Sequence, residues 1–381
     1  PSSVKFRLLK LFTNCLFAFC ISITIRQNYE RIDSLQNTLN QQLAVENRVN
    51  ILLNISREFE ISQSDSALAY AKLANSVSQQ DDYSKGIVLA LVQEGRMLMQ
   101  KNDFSHALDV FEDAIQLGSK YNMTNELGIA NGVIAIIYAE LGDYDNSAKY
   151  NFRALELFEK AGNKMEIGVT LGNIAADMLS QKNYKKALDY MHDALDIAKE
   201  ISDKPGIAQQ YNNIGGIYFT SYSDFKKALS FYSMSLKVNR ELKDKLQQGI
   251  NFLNIGYCYF RLDNNDSALF YFESAMEFFR NSKNPIRIAN GEIALGKYYQ
   301  KNKRFDQSLA HSVNALNLGT TNHSKELVSE ASNIISNIYL LRGDKINAFK
   351  YSLINFQARD SLQLMQSQKM LYKLEFQYNY E

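Results

Sequence analysis

The sequence predicts an all-α fold, a right-handed superhelix of antiparallel helix pairs (an α-solenoid) with a period of 40 residues. Three observations predict it: a loop-to-helix pattern recurs at near-constant spacing, small residues recur at fixed places within each unit, and only 3 of the 381 residues are proline. Stacked helix pairs grow in one dimension, so a chain of this length need not divide into two or three globular domains.

The repeat is clearest at a small residue that follows each predicted turn. Successive members of this series are 40 or 41 residues apart, and another residue, nearly always small, follows each of them by seven positions. A self-similar period of this length indicates stacked supersecondary units. The series consists of Ala67, Ala107, Ser147, Ala187, Ala228, Ala268, Ser308 and Ala348.

Each unit also has an upstream helix with its own small residue, and an aromatic residue follows three positions later in six of the eight units. The spacing to the downstream small residue is 12, except 11 from Ser56 and 13 from Gly215, which predicts a one-residue deletion and a one-residue insertion. Small residues let two helices approach closely, and aromatic rings fill the space beside them. The upstream series is Ser56, Gly95, Ala135, Ala175, Gly215, Gly256, Gly296 and Ser336.

The order small residue, aromatic, turn, Ala, aromatic, Ala resembles the tetratricopeptide repeat (TPR). Phe111, Tyr232 and Phe272 match its second aromatic position, whereas Asn151 and Ser312 depart from it, as does Ser352. The resemblance covers eight units over residues 48–357. It implies a scaffold that binds a protein or a peptide and that lines its concave side with the first helix of each pair.

Two helical segments are expected to flank the repeats. Residues 26–47 carry Ile32, Leu35 and Leu39 at helical spacing, which predicts a leader helix over the first unit. Residues 358–381 repeat apolar residues every seven positions, beginning at Leu364 and Leu371. This segment is expected to be a C-terminal helix that either caps the array or begins a coiled coil.

Residues 1–25 predict export. Lys5, Arg7 and Lys10 precede an uncharged apolar run over 11–25, as in a secretory signal peptide or an uncleaved signal anchor, although the run is short for a membrane span. A periplasmic or extracytoplasmic, membrane-associated location follows. The alternative is a buried first helix in a cytoplasmic protein.

The signal-like segment, the leader "RIDSLQNTL", the long-period units and the tail "RDSLQ…KLEFQYNYE" together resemble the sensor region of Bacteroidota membrane regulators. This resemblance implies a coiled coil and a transmembrane helix after the last helix, then a histidine kinase or DNA-binding output domain. The expected function is the sensory or interaction region of an exported, membrane-tethered signalling protein. The alternative is a cytosolic TPR adaptor or peptide receptor with no membrane link.

Composition and motifs argue against other classes. The formal net charge is +1, which disfavours nucleic acid as a partner. The four histidines form no His-x-x-His or Glu-x-x-His pair, so no metal site is predicted. Without a phosphate-binding glycine motif or a GxSxG motif, the sequence predicts no cofactor and no enzymatic activity for these residues. Cys258 is expected to be a small buried apolar residue.

The ligand is expected on the first helices, where polar residues alternate with aromatics. Asn amides could pair with the backbone of an extended peptide, cations such as Arg261 could hold a carboxylate, and rings such as Phe219 could anchor apolar groups. The third and fourth units are small and apolar there, which instead favours a helix of the same chain or of a second copy in a homodimer. The candidate residues are Arg96, Gln100, Gln209, Asn212, Phe219, Tyr257, Phe260, Arg261, Asn290, Lys297, Asn333 and Asn337.

Overall fold

The computed structural model of the chain describes residues 31–39, 41, 43–60 and 63–380, and over these ranges it contains seventeen helices and no strand. The predicted all-α fold is therefore confirmed, whereas the predicted signal segment lies outside the described residues. The helices are α1 (31–39), α2 (Val45–Phe59), α3 (Ser64–Gln80), α4 (Ser84–Gln100), α5 (Phe104–Lys120), α6 (Thr124–Glu140), α7 (Tyr144–Ala161), α8 (Lys164–Ser180), α9 (Tyr184–Glu200), α10 (Lys204–Thr220), α11 (Phe225–Glu241), α12 (Lys245–Arg261), α13 (Asn265–Ser282), α14 (Pro285–Lys301), α15 (Phe305–Thr321), α16 (Lys325–Leu341) and α17 (Lys345–Tyr380).

The eight units are the consecutive pairs from α2–α3 to α16–α17. Most helices between α3 and α16 have 17 residues, and most connections have three, which gives the 40-residue period. The connection between α10 and α11 has one residue more, so the predicted insertion in the fifth unit lies in this turn. The predicted deletion in the first unit falls at the α2–α3 connection, where residues 61 and 62 are outside the described part.

Each described turn leaves its helix through one residue in the left-handed region. Asn102 has φ 59° and Gly142 has φ 75°, and such residues recur every 20 positions, with one step of 21 between Ser202 and Ser223. The turn closes as a Schellman-type cap, in which a backbone N–H beyond the helix bonds a carbonyl of its last turn. The 40-residue period of the sequence therefore contains two backbone repeats of about 20 residues, and each of these consists of one helix and one turn.

In the second, fifth and sixth units, the glycine on the first helix is required by an aromatic ring on the second helix. A Cβ atom added at Gly95 would lie 2.6 Å from the ring of Phe111, and one at Gly256 would lie 2.6 Å from the ring of Phe272. Both rings are fully buried. The prediction that small residues permit close helix packing is confirmed, and the ring of the second helix is what occupies the space.

In the third and eighth units, where a polar residue stands in place of this aromatic ring, a polar contact forms at the same position. In the third unit, Ser147 Oγ and Asn151 Nδ2 each donate a hydrogen bond of 2.9 Å to the carboxylate of Asp177. Burial raises the pKa of Asp177, and these two hydrogen bonds oppose that rise. In the eighth unit, the hydroxyls of Ser336 and Ser352 lie 2.8 Å apart.

Contacts divide the chain into two compact units. One contains the described residues up to Ile137 together with Glu156–Gly162, and the other contains Tyr138–Leu155 and the described residues from Asn163 onward. One buried cluster in the second of these compact units includes Phe272, Phe279 and Met276 of α13.

The last helix, α17, has 36 residues and continues well beyond its partner α16. Ala358, within the part of α17 that matches α16 in length, is buried. Further along, Lys373 Nζ lies 3.4 Å from the carbonyl oxygen of Gly142 and 3.7 Å from Asp143 Oδ2. Over the described ranges, no helix combines the length and the apolar character that a membrane crossing requires.

The packing at Gly95 predicts opposite effects of alanine at two helical glycines. Gly95→Ala should lower the free energy of unfolding by about 1–3 kcal/mol, because its methyl group overlaps the Phe111 ring. Gly132→Ala should raise stability by about 0.5–1 kcal/mol, because nothing lies within 4 Å of the added Cβ and alanine favours the helix. Urea denaturation of both variants measures the difference, and equal effects would contradict the packing account.

Candidate functional site

The candidate site lies on the exposed sides of α10, α12, α14 and α16, which are the first helices of the fifth to eighth units; we call this surface the first-helix face. Side-chain contacts join its neighbouring helices. Asn254 of α12 donates to Asn212 Oδ1 of α10 over 3.0 Å. Lys297 of α14 pairs with Glu330 of α16 and lies 5.8 Å from the ring centroid of Tyr257 on α12.

A polar cavity of about 350 Å³ opens where α10, α11 and α12 meet. Amide side chains predominate among its polar lining residues, and two of the predicted site residues, Gln209 and Asn212, are among them. Its volume falls within the range of ligand pockets. The lining residues are Pro205, Ala208, Gln209, Asn212, Ser235, Asn239, Leu242, Asp244 and Gln247.

Hydrogen bonds fix the orientation of the amides behind this cavity. Asn251 Nδ2 donates to Ser235 Oγ over 3.0 Å, and Asn239 Nδ2 donates to Asn251 Oδ1 over 2.8 Å. Ser235 Oγ in turn donates to the carbonyl oxygen of Ala208 over 2.8 Å. Because Asn251, Asn239 and Ser235 are buried, this network holds the wall of the cavity in one arrangement.

Two amide atoms at the cavity have no partner among the residues that the structure describes. Asn212 Oδ1 accepts hydrogen bonds from Asn254 and Asn251, which leaves Asn212 Nδ2 as a donor. Asn239 uses its Nδ2 as a donor, which leaves Asn239 Oδ1 as an acceptor. A peptide group, with one carbonyl and one N–H, presents the complementary pair.

Arg261 lies on the same side of α12 at its C-terminal end. Its guanidinium carbon is 4.3 Å from the ring centroid of Phe225 and 5.9 Å from that of Phe219. The two rings contact each other edge to face at 5.3 Å. Within the described part of the chain, no carboxylate pairs with Arg261, so its charge is compensated only by the rings. The predicted site residues Phe219 and Arg261 are thus in contact.

The other predicted cations are engaged by neighbouring repeats. Lys297 forms its ion pair with Glu330. In the first compact unit, Arg96 and Gln100 bind the same carboxylate, Glu60 Oε1, at 3.2 Å and 2.8 Å. These side chains stabilise contacts between adjacent units, and a ligand carboxylate would have to compete with the acids that they already bind.

The remaining predicted residues divide between packing and exposure. Tyr257 contacts Phe272 edge to face at 5.1 Å, and burial raises the pKa of its hydroxyl, so this group is neutral at physiological pH. Phe260 packs against the same buried cluster. Asn290 is half-buried, whereas Asn333 and Asn337 are exposed.

Ser235, Asn239 and Gln247 line the cavity but are not among the residues predicted from the sequence. Ser235 and Asn239 lie on a second helix, which was not expected to line the site. The sequence does contain an indication of this network. Asn251 lies five residues before Gly256, and several other units have a small residue at the corresponding position, such as Ala90. A polar residue at a normally small, buried register position indicates such a network.

Neither the histidines nor Cys258 adds chemistry to the site. His311 stacks on Tyr299 with centroids 5.4 Å apart and lies 2.5 Å from Glu292 Oε2. Across the described residues, no cluster of three or more His, Cys, Asp or Glu side chains is arranged to hold a metal ion. Cys258 is fully buried, and its burial raises the pKa of the thiol to about 12.

Sequence models of the tetratricopeptide repeat match residues 125–200 and 166–241, and a further such model matches 251–281. These matches show tetratricopeptide repeats over residues 125–241 and 251–281, and the other described helix pairs have the same helix–turn–helix architecture. No curated protein sequence matches it.

Several solved structures share the fold. The apo form of RapI is 17% identical, with a TM-score of 0.68 over 90% of this chain and 98% of that one. The apo form of the quorum sensor NprR from B. thuringiensis is 16% identical, with a TM-score of 0.66 over 88% and 94%. The Rap conjugation gene regulator of plasmid pLS20, solved with the Phr* peptide, is 16% identical, with a TM-score of 0.52 over 89% and 96%.

Proposed function

We propose that this chain binds an extended peptide, free or as part of a protein, on the first-helix face between α10 and α12. The observation that carries this proposal is the pairing of an amide-lined cavity at one end of these helices with the exposed guanidinium of Arg261 at the other. The amides of Asn212 and Asn239 would bind peptide groups without regard to sequence, and Arg261 would hold a carboxylate.

The distance between these two ends suggests the length of the ligand. Gln247 and Arg261 are 14 residues apart on α12, which corresponds to about 21 Å at the helical rise. An extended chain covers about 3.3–3.6 Å per residue, so roughly six residues would reach from the cavity to the guanidinium. Phe219 and Phe225, which flank Arg261, would contact an apolar side chain near that end of the peptide.

The similar structures support a peptide as the ligand class. NprR is described as a quorum sensor, one Rap protein was solved with the Competence and Sporulation Factor, and another with the Phr* peptide. These proteins have the fold of this chain at low sequence identity. The described residues form repeats and the C-terminal helix, and we propose no enzymatic activity for them.

We also propose that the chain is the sensory region of an exported, membrane-tethered signalling protein, in which ligand binding is transmitted through α17. The basic residues and apolar run within residues 1–25 support export. The alternative is a cytosolic TPR adaptor or peptide receptor, which the same repeat fold would serve equally well. The ligand proposal is independent of this choice.

Arg261 gives the binding proposal a specific test. A random hexapeptide library with free C-termini is selected on the full chain, and the affinity of an enriched peptide is measured by calorimetry. Arg261→Ala should weaken binding about 10–100-fold, the loss expected for a charged hydrogen bond of about 1.5–3 kcal/mol. If the terminal carboxylate is the group bound, the amidated peptide should bind the wild type weakly and be insensitive to Arg261→Ala.

Arg153→Ala is the matched control, because Arg153 also stacks on a ring, that of Tyr150 at 5.0 Å, but lies on the second helix α7. This variant should bind the enriched peptide as the wild type does. Failure to enrich any peptide, or equal affinity of the wild type and Arg261→Ala, would contradict the proposed site.

A reporter fused after residue 45 distinguishes the two cellular settings. Alkaline phosphatase folds to its active form in the oxidising periplasm, so the export proposal predicts phosphatase activity in cells that carry the fusion. Replacement of Lys5, Arg7 and Lys10 by Glu should abolish that activity, because the positive region is lost. An inactive reporter that is present at normal abundance would favour the cytosolic alternative.

A further inference from the structure

The outer side of α17 carries an apolar stripe that the described part of the chain leaves uncovered. Its members are spaced three, four, seven or eight residues apart, which places them on one side of the helix. Each has between 45% and 83% of its surface exposed. We call this set the α17 stripe; it consists of Ile346, Phe349, Leu353, Phe356, Leu364, Leu371 and Leu374.

The preceding repeat shows what these positions do when a helix covers them. Leu309 and Leu316 of α15 precede Phe349 and Phe356 by 40 residues, one full repeat. Both leucines are partly buried and pack against a cluster that includes Leu327 and Ile334 of α16. In α17 the equivalent positions hold larger apolar side chains, yet they are exposed. The stripe therefore has the character of a helix-packing surface, and none of the described helices covers it.

The stripe faces away from the other residues that the structure describes. Ala358, which lies on the other side of α17, is buried. Lys373 follows Leu364 by nine residues, or two and a half helical turns, and its Nζ lies 3.4 Å from the carbonyl oxygen of Gly142. One side of α17 is thus held against the repeats, and no described residue outside α17 covers the opposite side.

The size of the stripe exceeds what a monomer usually exposes. With roughly 150–250 Å² for a whole aromatic side chain, its seven members together expose on the order of 800 Å². A typical monomer's largest apolar patch is about 300–600 Å². About 800 Å² per partner is the share buried in a standard protein–protein interface.

The length of the stripe indicates which helix fits it. From Ile346 to Leu374 it covers about 42 Å, whereas a 17-residue first helix is only about 25 Å long. A following repeat of the usual size would therefore leave its second half exposed. Among the described helices, α17 alone has the length required.

The spacing of the stripe is also symmetric about Asp360. Ile346, Phe349, Leu353 and Phe356 precede it by 14, 11, 7 and 4 residues, and Leu374, Leu371, Ser367 and Leu364 follow it by 14, 11, 7 and 4 residues. In an antiparallel pair of identical helices centred on residue 360, each apolar residue of the first half therefore faces a residue of the second half. A twofold interface requires this kind of self-complementarity.

We propose that the chain forms a homodimer in which the α17 stripes of two copies pack antiparallel about Asp360. Ile346, Phe349 and Phe356 of one copy pack against Leu374, Leu371 and Leu364 of the other, and three of the four layers on each side of the axis are wholly apolar. Leu353 meets Ser367, and the two Asp360 side chains meet at the axis. This interface does not depend on the proposed peptide site.

Cysteine cross-linking tests both the partner and the register. Cys15 and Cys20 are replaced by Ser, and Cys258 is kept because it is buried. Asp360→Cys should then form a disulfide-linked dimer under mild oxidation, because residue 360 faces itself. Ile346→Cys alone should stay unlinked, whereas a mixture of the Ile346→Cys and Leu374→Cys chains should cross-link with each other.

Two exposed positions on α17 give a matched pair for the association itself. Phe356→Glu should weaken dimerisation at least about tenfold in sedimentation equilibrium, because it buries an unpaired charge. Met365→Glu is the control, since Met365 is also exposed on α17 but lies off the stripe. Both variants should retain the helical circular dichroism of the wild type at 25 °C, which excludes misfolding as the cause.

Asp360→Leu should tighten the dimer, because it removes two like charges at the axis and adds an apolar layer. A wild-type chain that is monomeric at micromolar concentration, with no cross-link at residue 360, would overturn the proposal. Cross-linking of Ile346→Cys to itself would overturn the antiparallel register.

Discussion

The close approach of two antiparallel helices at a small residue is the constraint on which the rest of the structure depends. A ring such as Phe111 or Phe272 occupies the space that a side chain at Gly95 or Gly256 would need. This contact fixes how the two helices of a pair cross. A left-handed residue every 20 positions then reverses the chain after each helix. As the pairs stack, neighbouring first helices such as α10 and α12 come into contact, and their polar residues meet.

Some units have polar residues at buried positions of the repeat that are apolar in other units, and these polar residues have two different consequences. In the third unit, Ser147, Asn151 and Asp177 bond one another in a buried set, which replaces the missing ring. In the fifth and sixth units, Asn239 and Asn251 form a similar network, but it borders a cavity and leaves amide atoms for a ligand. Both networks join helices through buried hydrogen bonds in place of apolar contacts. Only the second network also borders a surface that is suited to recognition.

The fold could be predicted from the sequence because all eight units share one spacing of small residues and turns. The spacing within a single unit would be weak evidence, but its repetition along the chain is strong evidence. Part of the site could also be predicted, since Gln209 and Asn212 follow from the register of the first helix. Ser235 and Asn239 could not, because their role depends on the gap between a second helix and the next unit. The partners of Arg96 and Lys297 likewise became clear only once neighbouring units were in place.

Hydrogen exchange with and without a bound peptide tests the central claim most directly. The full chain is mixed with a library-selected hexapeptide, and backbone amide exchange is followed along the sequence by mass spectrometry. Protection is expected to increase in α10 and α12 and in the end of α11 that borders the cavity, because the ligand and the ordered amides restrict opening there. Protection that appears on the second helices of other units, or on none of these three, would contradict it.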